Sequence, residues 1–592
     1  MNTASKPMYE WKNIPWKKIL REVFKLQKRI YQASLRGDKR AVRKLQRLLI
    51  KSWYGRLLAV RRVTQDNQGK KTPGIDGVVI LDPTRKIELA QTINSNKKPQ
   101  PVRRIYIPKP GKQEKRPLGI PVIRDRAKQA VTKQALEPEW EAKFEAKSHG
   151  FRPGRGCHDA IADIFQNIVQ QPKFVLDADI AKCFDRIDHK QLIDKLDTSP
   201  FIRRRIQEWL KAGIMEGDVF CTSDMGVPQG GVISPLLANI ALHGLETKVE
   251  AAFPQRKIVK GKQAYWRPKV IRYADDFVIL HQDAQAIGTA RELTKTWLTK
   301  VGLELKPEKT RFTHTLNHLE QEEPGFNFLG FNVRQFPNER TTKDTTINDD
   351  KQVQYRTLIK PSKAGVQRHV DKLREIIRNH RSKSQDKLIC ALNPVIRGWC
   401  NYYSTVVSKE TFKRVNHVLF EMLWAWAKRR HPKKSKYWIY TRYWIICEGN
   451  RVFKDVKSSS LLQHAQTPIR RHIKVQGTRS PFDGDWLYWA TRMGRHPEIG
   501  SKVARALKKQ QGKCTICGLY FTETDMPWVY NLMEKGQTKT YWLAHNHCQR
   551  STRHGRVTEE PYDGKLCGMS CVAGIVFYRP KLLEILRGQH LT

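Results

Sequence analysis

The sequence predicts a multidomain α+β protein, and three observations lead to this fold class. A chain of 592 residues is long enough for three or four domains of roughly 150 residues each. Between residues 100 and 335, short β-branched runs such as RRIYIP and KFVLDADI alternate with helical stretches. From 360 to 445 the pattern becomes almost wholly helical, and a small Cys/His-containing piece follows from about 506.

Charge and cysteine content narrow the function classes. Lysine and arginine number 109 against 57 aspartate and glutamate, a formal net charge of +52 that favours a polyanionic partner. No apolar run approaches the roughly 18 residues of a membrane span, and the N-terminus lacks the apolar core of a secretory signal. Apart from Cys514 and Cys517 the cysteines are scattered, which suits a reducing compartment with one metal site. We therefore expect a cytoplasmic protein without a membrane partner.

The first predicted element is a basic helical extension over residues 1–90. Apolar residues between 16 and 30 follow the three-to-four spacing of an amphipathic helix, and lysines and arginines occupy much of the remaining surface. The turn-forming stretch TPGIDG at 72–77 then breaks the pattern. An α/β or α+β unit is predicted from about 100 to 335.

A second helical unit is predicted over residues 360–445. Val366, Val370, Leu373 and Ile377 share one helix face, and basic residues fill most of the rest. A polar connector at 446–505 contains SPFDGDWLYWATR, and the Cys/His piece occupies 506–592. The chain therefore divides into five predicted regions.

Adjacent acids interrupt an apolar stretch at 270–280, which reads VIRYADDFVIL. VIRY and FVIL have strand composition, so Asp275 and Asp276 are predicted at the tip of a hairpin. About one hundred residues upstream, KFVLDADIAKCFDRI supplies a second acidic strand with Asp177, Asp179 and Asp185. An arbitrary pair of aspartates usually decorates a loop. Here two acidic strands can bring carboxylates together around a pair of Mg²⁺ ions, the arrangement that in-line phosphoryl transfer requires.

The boxes around these acids resemble the group II intron-encoded class of reverse transcriptase and maturase. YADD at 273–276 looks like the catalytic box of reverse transcriptases. Other segments follow in that family's order: RRIYIPKPGKQEKRPLGIP (103–121), SHGFRPGRGCHDAI (148–161), DADIAKCFDRIDH (177–189), GVPQGGVISPLLANIAL (226–242), GLELKPEKTRF (302–312) and FNFLGF (326–331). LNPVIRGWCNYY at 392–403 resembles the maturase, or X, region. The resemblance implies a right-hand polymerase with fingers and palm over 91–345, a thumb/maturase domain over 360–445, a DNA-binding region over 446–505 and an HNH-like C-terminal piece.

Catalytic roles follow from this resemblance. Asp179, Asp275 and Asp276 are the expected catalytic residues and Mg²⁺ ligands, and the Ile180 carbonyl is expected to complete one coordination shell. Asp177 and Asp185 are expected to be structural.

Nucleotide-binding roles are implied in the same way. Phe184 is the expected steric gate against the ribose 2′-hydroxyl, which makes deoxynucleotides (dNTPs) the preferred substrate. Lys109 and Arg116 resemble the finger residues that clamp the triphosphate, although exposed salt bridges are the common role of such residues. Gln229 is expected beside the nascent base pair, unless PQGG is a simple turn. Lys309 is a candidate general acid toward pyrophosphate, unless EKT simply begins a helix.

A basic run at 427–436, AKRRHPKKSK, is the predicted RNA-binding surface. Its six cations are Lys428, Arg429, Arg430, Lys433, Lys434 and Lys436. A solvated charge run is the usual explanation of such a stretch, but in the resembled family the thumb holds intron RNA. Arg397, Trp399 and Tyr403 could contribute, with a core position as the alternative for the two aromatic residues.

The C-terminal piece resembles an HNH endonuclease that lacks its base. CTICG at 514–518 and LAHNHCQR at 543–550 match the family pattern, yet the interval between them contains no histidine, and Gln549 stands where relatives usually have one. We therefore predict weak or no second-strand cleavage. Cys514, Cys517 and Cys548 with His545 or His547 form a reasonable tetrahedral Zn²⁺ set, with His547 taken as the fourth ligand. A remnant that binds no metal is the alternative. Cys567 and Cys571 have no place in this pattern.

The predicted function is that of an RNA-directed DNA polymerase and maturase that assists splicing of a group II intron and copies it during retrohoming. The implied partners are group II intron RNA, a DNA target, an RNA template with a DNA primer, and dNTPs, in a ribonucleoprotein associated with a bacterial or organellar nucleoid. Two alternatives stay open. One is a pure RNA-binding splicing cofactor, which the intact acids disfavour; the other is a retron-type enzyme without a splicing role, which the basic N-terminal helix disfavours.

Overall fold

The computed structural model describes residues 10–108, 114–259, 261–319, 322–338, 355–447, 449–455, 460–522, 525, 527–532 and 540–548. The α-helices are α1 (Trp16–Leu35), α2 (Lys39–Lys51), α3 (Trp53–Arg61), α4 (Pro83–Thr92), α5 (Ile123–Glu141), α6 (Cys157–Ile168), α7 (Cys183–Arg186), α8 (His189–Leu196), α9 (Pro200–Leu210), α10 (Ser234–Leu242), α11 (Leu245–Ala251), α12 (Ala284–Lys300), α13 (Lys363–Asn379), α14 (Gln385–Tyr403), α15 (Lys409–Arg430), α16 (Lys436–Tyr443), α17 (Trp486–Met493) and α18 (Ser501–Gln510). The strands are β1 (Val102–Pro108), β2 (Lys115–Ile120), β3 (Phe174–Asp179), β4 (Ile214–Glu216), β5 (Val219–Cys221), β6 (Arg256–Val259), β7 (Lys262–Tyr265), β8 (Lys269–Tyr273), β9 (Asp276–His281), β10 (Arg311–His314), β11 (Phe326–Phe328), β12 (Phe331–Pro337), β13 (Tyr355–Pro361), β14 (Trp444–Cys447), β15 (Asn450–Phe453), β16 (Pro527–Leu532) and β17 (Thr540–His545).

The central sheet has the strand order β10-β3-β9-β8, and all its neighbours are antiparallel. Side chains alternate between its two faces. Leu176 and Phe277 point into a core shared with the N-terminal helices, whereas Val175 and Val278 point into a core shared with α13–α15. The sheet therefore lies between two hydrophobic cores, and its apolar residues fix its position in the molecule.

The basic N-terminal region is helical as predicted, and from residue 10 onward it comprises α1, α2, α3 and the start of α4 in place of one continuous helix. Gly37, at φ +72°, permits the turn after α1, and Asp38 caps α2 by accepting a hydrogen bond from the Ala41 amide. Ile19 and Ile30 are buried in the same core as Leu176 and Phe277 of the central sheet. The Gln27 side-chain amide donates to the Gln134 carbonyl of α5 at 2.9 Å. The apolar stripe of these helices thus joins the core shared with the central sheet, and most of their cations lie outside it.

A second sheet has the strand order β2-β1-β4-β5, with β1 and β2 before α5 in the chain and β4 and β5 after it. β1 pairs antiparallel with β2 and parallel with β4. The segment between β5 and α10, which contains PQGG, returns to this sheet because the Gly119 amide donates to the Gln229 carbonyl at 2.6 Å.

The helical unit after residue 360 is built as its sequence predicts. Val366, Val370, Leu373 and Ile377 are all buried, and α13, α14 and α15 pack around them. In α14, Trp399 lies half-buried with its ring stacked 4.3 Å from that of His369. Tyr403 is buried, and its hydroxyl donates to the Gly330 carbonyl at 3.1 Å.

The predicted polar connector packs against the rest of the chain. β14 and β15 form a hairpin on the core of the helical unit. Further on, the Phe482 ring lies 6.1 Å from that of Phe24 in α1, and Lys28 forms an ion pair with Glu498 at 2.8 Å. Within the described part of the chain, no helix is both long and apolar enough to cross a bilayer.

Candidate active site

The tip of the β8–β9 hairpin is a two-residue turn that carries the first acid. Tyr273 pairs with Asp276, so Ala274 and Asp275 form the turn, with Ala274 at φ +59°. A side chain on Gly150 would place its Cβ 2.3 Å from the Ala274 nitrogen, so only glycine allows this close approach. The hairpin predicted from VIRYADDFVIL is present.

A buried arginine supports this turn, and the sequence analysis did not identify it. The Arg272 guanidinium is 3% exposed and donates to the Ala274 carbonyl and to the Asn239 Oδ1, both at 3.1 Å. Asn239 in turn donates to the Gly150 carbonyl at 2.7 Å. A cation inside an apolar strand is the signal that could have revealed it, because burying an arginine requires several acceptors.

The second acidic strand brings Asp179 to the same place. β3 pairs with β9 so that Asp179 lies directly opposite Asp276, and the Ile180 amide donates to the Asp275 carbonyl at 3.3 Å. Burial raises the pKa of Asp276 to about 7, with further contributions from the charges of Asp275 and Asp179. The pKa of Asp275 is also raised, chiefly by burial. Three carboxylates therefore converge in a place where their negative charges oppose one another.

Lys309 is the nearest described cation to this cluster. It lies in the short turn Pro307–Lys309, and its ammonium forms an ion pair with Asp179. Burial lowers the pKa of Lys309, but the carboxylates, Asp179 first, outweigh this and leave it raised. Lys309 thus stays protonated beside the acids, and the EKT stretch does not begin a long helix.

The acid cluster fits a divalent cation. Carboxylate and carbonyl oxygens are the ligands that Mg²⁺ prefers, and buried like charges favour a bound cation. Asp177 lies on the same face of β3, but its strand partner is Arg311. Burial raises the pKa of Asp177 to about 7, and Arg311 opposes that rise.

Two aromatic rings lie beside the acidic strand. The Phe184 carbonyl accepts a hydrogen bond from the Val227 amide at 2.5 Å, and its ring meets the Phe151 ring edge-on at 6.2 Å. Phe151 has φ +60° and is 47% exposed, a position that sequence patterns did not single out.

Arg116 and Gln229, two further predicted nucleotide-binding residues, lie on or near the second sheet. Arg116 is exposed on β2. Its charge opposes, but does not cancel, the rise that burial causes in the pKa of Asp275. Gly230, at φ +117°, approaches Gly119 so closely that a Cβ would lie 2.6 Å from its carbonyl oxygen. This contact positions Gln229. Lys109 lies outside the described residues.

The basic run at 427–436 begins in the last turn of α15 and continues beyond it. Some of its cations hold neighbouring backbone in place, and others are exposed. Arg430 donates to the Arg381 and Lys383 carbonyls at 2.9 and 2.8 Å, and its guanidinium lies 4.7 Å from the centre of the Trp426 ring. Arg429 and Arg430 also line a cleft of about 800 Å³ between α13 and α15. The other arginines that line this cleft are Arg374, Arg378 and Arg381, and His431 also lines it.

The Cys/His cluster differs from the predicted set in one residue. The ligand atoms of Cys514, Cys517, His545 and Cys548 all lie within 4.8 Å of one another, and the Cys517 Sγ is 3.3 Å from the His545 Nδ1. His547 is exposed and stacks on His545 at 4.9 Å, so it is not the fourth member. Three thiols and one imidazole fit tetrahedral Zn²⁺. Gln549, Cys567 and Cys571 lie outside the described residues.

A sheet that presents converging acids at a hairpin tip, packed between the N-terminal helices and the helical bundle of α13–α15, is the arrangement of a nucleotidyl-transferring polymerase. Three family models match the chain: Reverse transcriptase (RNA-dependent DNA polymerase) over residues 107–333, the N-terminal domain of reverse transcriptase over 11–93, and the group II intron maturase-specific domain over 366–444. The chain belongs to the group II intron-encoded reverse transcriptases.

Named relatives agree with this assignment. Protein YkfC of Escherichia coli is 32% identical over 329 residues, which cover 49% of this chain and 82% of that protein. Group II intron-encoded protein LtrA of Lactococcus lactis is 30% identical over 399 residues, 56% of this chain and 64% of that protein. An uncharacterized 91 kDa protein in the cob intron of Schizosaccharomyces pombe is 29% identical over 376 residues, which cover 53% of this chain and 44% of that protein. The predicted family, with its reverse transcriptase and maturase activities, is confirmed, whereas the HNH-like assignment stays a prediction.

Proposed function

We propose that this chain copies its own intron RNA into DNA at a cleaved target and also holds that RNA in its splicing-competent fold. The observation that carries the proposal is the strand register that sets Asp179 opposite Asp276, next to the turn that holds Asp275. Such a cluster is what nucleotidyl transfer needs, and the maturase-specific match over 366–444 points to intron RNA as the partner.

Asp179, Asp275, Asp276 and the Ile180 carbonyl are the groups that would hold Mg²⁺. When bound, the ions would make the primer 3′-hydroxyl easier to deprotonate and offset the charge of the triphosphate. Arg272 keeps the turn in place, so the carboxylates are positioned before substrate arrives. Lys309, protonated beside Asp179, is placed to give a proton to the departing pyrophosphate.

Selection of deoxynucleotides is assigned to Phe184. Its backbone is fixed by the Val227 contact, and its ring is buttressed by Phe151. A rigid ring beneath the sugar leaves no room for a 2′-hydroxyl. Arg116, together with Lys109, would clamp the triphosphate, and Gln229 would lie beside the new base pair.

RNA recognition is assigned to the basic surface of α15, α16 and the cleft beside them. Lys428, Arg429, Lys433, Lys434 and Lys436 would meet phosphates, while Arg430 mainly fixes the loop that carries Arg381. The segment 446–505 would contact target DNA. The resulting ribonucleoprotein would act at the nucleoid.

The C-terminal piece is assigned a structural role. Cys514, Cys517, His545 and Cys548 would hold Zn²⁺ and so stabilise the small unit around α18 and β17. Because the sequence supplies no histidine base between the two boxes, second-strand cleavage would be weak or absent.

Primer extension on an RNA template tests the polymerase assignment. Asp275→Ala should lower synthesis by at least about 10²-fold, because it removes a carboxylate that would hold the metal ions. Asp194→Ala, which removes an exposed carboxylate of α8, is the matched control and should retain synthesis. Continued synthesis by Asp275→Ala would refute the metal-site assignment.

Splicing of the RNA that copurifies with the protein tests the second half of the proposal. Asp275→Ala should still assist splicing, because the substitution leaves the cations of α15 and α16 unchanged. Wild-type protein that assists splicing but extends no primer would favour the pure splicing cofactor. Wild-type protein that extends primers but neither retains RNA nor assists splicing would favour the retron-type alternative.

A further inference from the structure

A cationic cavity lies at the opposite end of the catalytic sheet. It encloses about 210 Å³ and is lined by residues from the end of α6, the β7–β8 connection and the sheet itself. Phe174 pairs with His281 at this end, and Asp179 pairs with Asp276 at the other. The two pairs are five residue steps apart along β3, which corresponds to about 17 Å at roughly 3.3 Å per residue. The cavity is therefore separate from the polymerase site.

The described wall of the cavity carries positive charge without a lining carboxylate. Lys173, Arg267 and Lys269 line it, and among the described residues the one ion pair of these cations joins Lys269 to Glu250 at 3.9 Å. Glu250 is more closely held by Lys147, at 2.8 Å. Burial, and then the charge of Lys269, hold the pKa of Lys173 at about 8. An anion in this cavity would relieve the repulsion between the two lysines.

Two further groups fit a phosphate linked to a nucleoside. The side-chain amide nitrogen of Gln282 lines the cavity and is buried without a hydrogen-bond partner among the described residues, so it is a donor in need of an acceptor. At the rim, Tyr265 is 46% exposed, and the Lys269 Nζ lies 3.8 Å from its ring centre. A cation and an accessible ring side by side are typical of sites that hold a backbone phosphate and the base next to it.

We propose that this cavity binds a backbone phosphate of an unpaired stretch of the partner RNA, with a neighbouring base against Tyr265. The inference rests on the proposed function, which supplies the RNA. Its volume lies below the roughly 300 Å³ of common small-molecule pockets, so it suits one phosphate and sugar better than a whole nucleoside triphosphate. An exposed ring favours an unpaired base over a duplex, whose bases are stacked inside.

RNA binding by a charge-matched pair of variants tests the inference. Lys173→Gln combined with Lys269→Gln removes two cations from the cavity. Lys295→Gln combined with Lys300→Gln removes two exposed cations from α12 and is the control. With a single-stranded RNA of about 20 nucleotides, a length that exceeds the site size of a typical single-strand-binding fold, the cavity variant should bind about 10-fold more weakly than the control. The slope of log K against log salt should become shallower by about 0.7 for each phosphate that the variant no longer neutralises.

Two companion measurements guard against misfolding and misassignment. Tyr265→Leu changes an exposed side chain, so it should keep the wild-type melting temperature and still bind the RNA more weakly. Replacing both lysines by arginine should restore affinity, since arginine keeps the charge. Ultraviolet crosslinking of the same RNA should label the peptide that contains Tyr265 in the wild type.

Several outcomes would overturn the inference. Equal RNA affinity of cavity and control variants would do so. So would an equal loss for a DNA duplex of matching length, which would make this a DNA surface, or a change confined to inhibition by inorganic phosphate, which would make it a free-anion site. Primer extension separates this inference from the proposed function. The cavity variants should extend a preannealed primer normally, whereas failure of the wild type to do so would contradict the proposed function alone.

Discussion

Asp159→Asn should loosen the attachment of the chain around residues 472–492 to helix α6. Asp159 is 1% exposed, and its Oδ1 accepts hydrogen bonds from the Val475 amide at 2.8 Å, the Arg492 Nη2 at 2.5 Å and the His472 Nε2 at 3.1 Å. Burial would raise the pKa of Asp159, but His472 and Arg492 hold it well below its usual range. One carboxylate therefore joins three parts of a segment more than three hundred residues away.

The size of the effect follows from the charge left behind. Asparagine keeps the shape of the side chain but removes the charge that balances Arg492, which is 15% exposed. Removing one partner of a buried ion pair costs about 3–5 kcal/mol, and the partial exposure of Arg492 reduces this to about 2–3 kcal/mol. At about 1.36 kcal/mol per factor of ten, opening of the segment should become roughly 30- to 150-fold more favourable.

Native-state hydrogen exchange of the α17 amides measures this opening directly. Asp194→Asn, which alters an exposed ion pair with Arg203, is the control and should change exchange by less than about 0.5 kcal/mol. In a double-mutant cycle with Arg492→Gln, the two effects should be non-additive. Protection of α17 equal to that of the control, or strict additivity, would show that Asp159 does not hold the segment.

Three further predictions concern the gate, the metal cluster and a buried histidine pair. Phe184→Ala should raise ribonucleotide use relative to deoxynucleotides by about 10- to 100-fold in single-nucleotide incorporation, because the ring no longer fills the space of a 2′-hydroxyl; unchanged discrimination would remove Phe184 from that role. Cys517→Ser should lower the zinc content from one ion per chain to less than half, as read by atomic emission, and leave primer extension intact; a wild-type chain purified without zinc would contradict this. The Nε2 atoms of His369 and His464 share a hydrogen bond of 2.9 Å in the core. Burial there lowers the pKa of His369 to about 3 and that of His464 to about 4. Because the unfolded chain then binds more protons below about pH 6.5, stability should fall as the pH drops from about 6.5 toward 4, by about 3 kcal/mol for His464; denaturation midpoints of wild type and His464→Gln at neutral and acidic pH measure it, and equal pH dependence would refute it.

Local sequence was sufficient for the elements whose causes are local. The hairpin of Asp275 follows from strand composition on both sides of a two-residue turn, and the buried stripe of α13 follows from helical spacing. The choice of His545 over His547 was beyond spacing alone, because two residues along the chain decide which ring faces the thiols and which faces water.

Long-range contacts account for what the sequence did not reveal. The segment around 472–492 looks like a polar linker, since its acidic partners, Asp159 and Asp163, lie in a distant helix. Arg272 could be seen as a cation in an apolar strand, but its acceptor Asn239 could not be inferred from either stretch. Such pairs are specified by the fold, and a single sequence holds no local trace of them.

The two-residue turn between Tyr273 and Asp276 fixes the register of β9 against β8 in the central sheet. Because β9 carries buried apolar residues on both faces, its own hydrophobicity would tolerate a slip of one residue against β3. Sliding β3 by that amount would rotate Asp179 away from Asp276 and into the packed interior beside the N-terminal helices. Inserting a single amino acid between positions 274 and 275 is therefore more disruptive than lengthening the separate β6–β7 hairpin. The central sheet should tolerate substitutions far more readily than insertions or deletions.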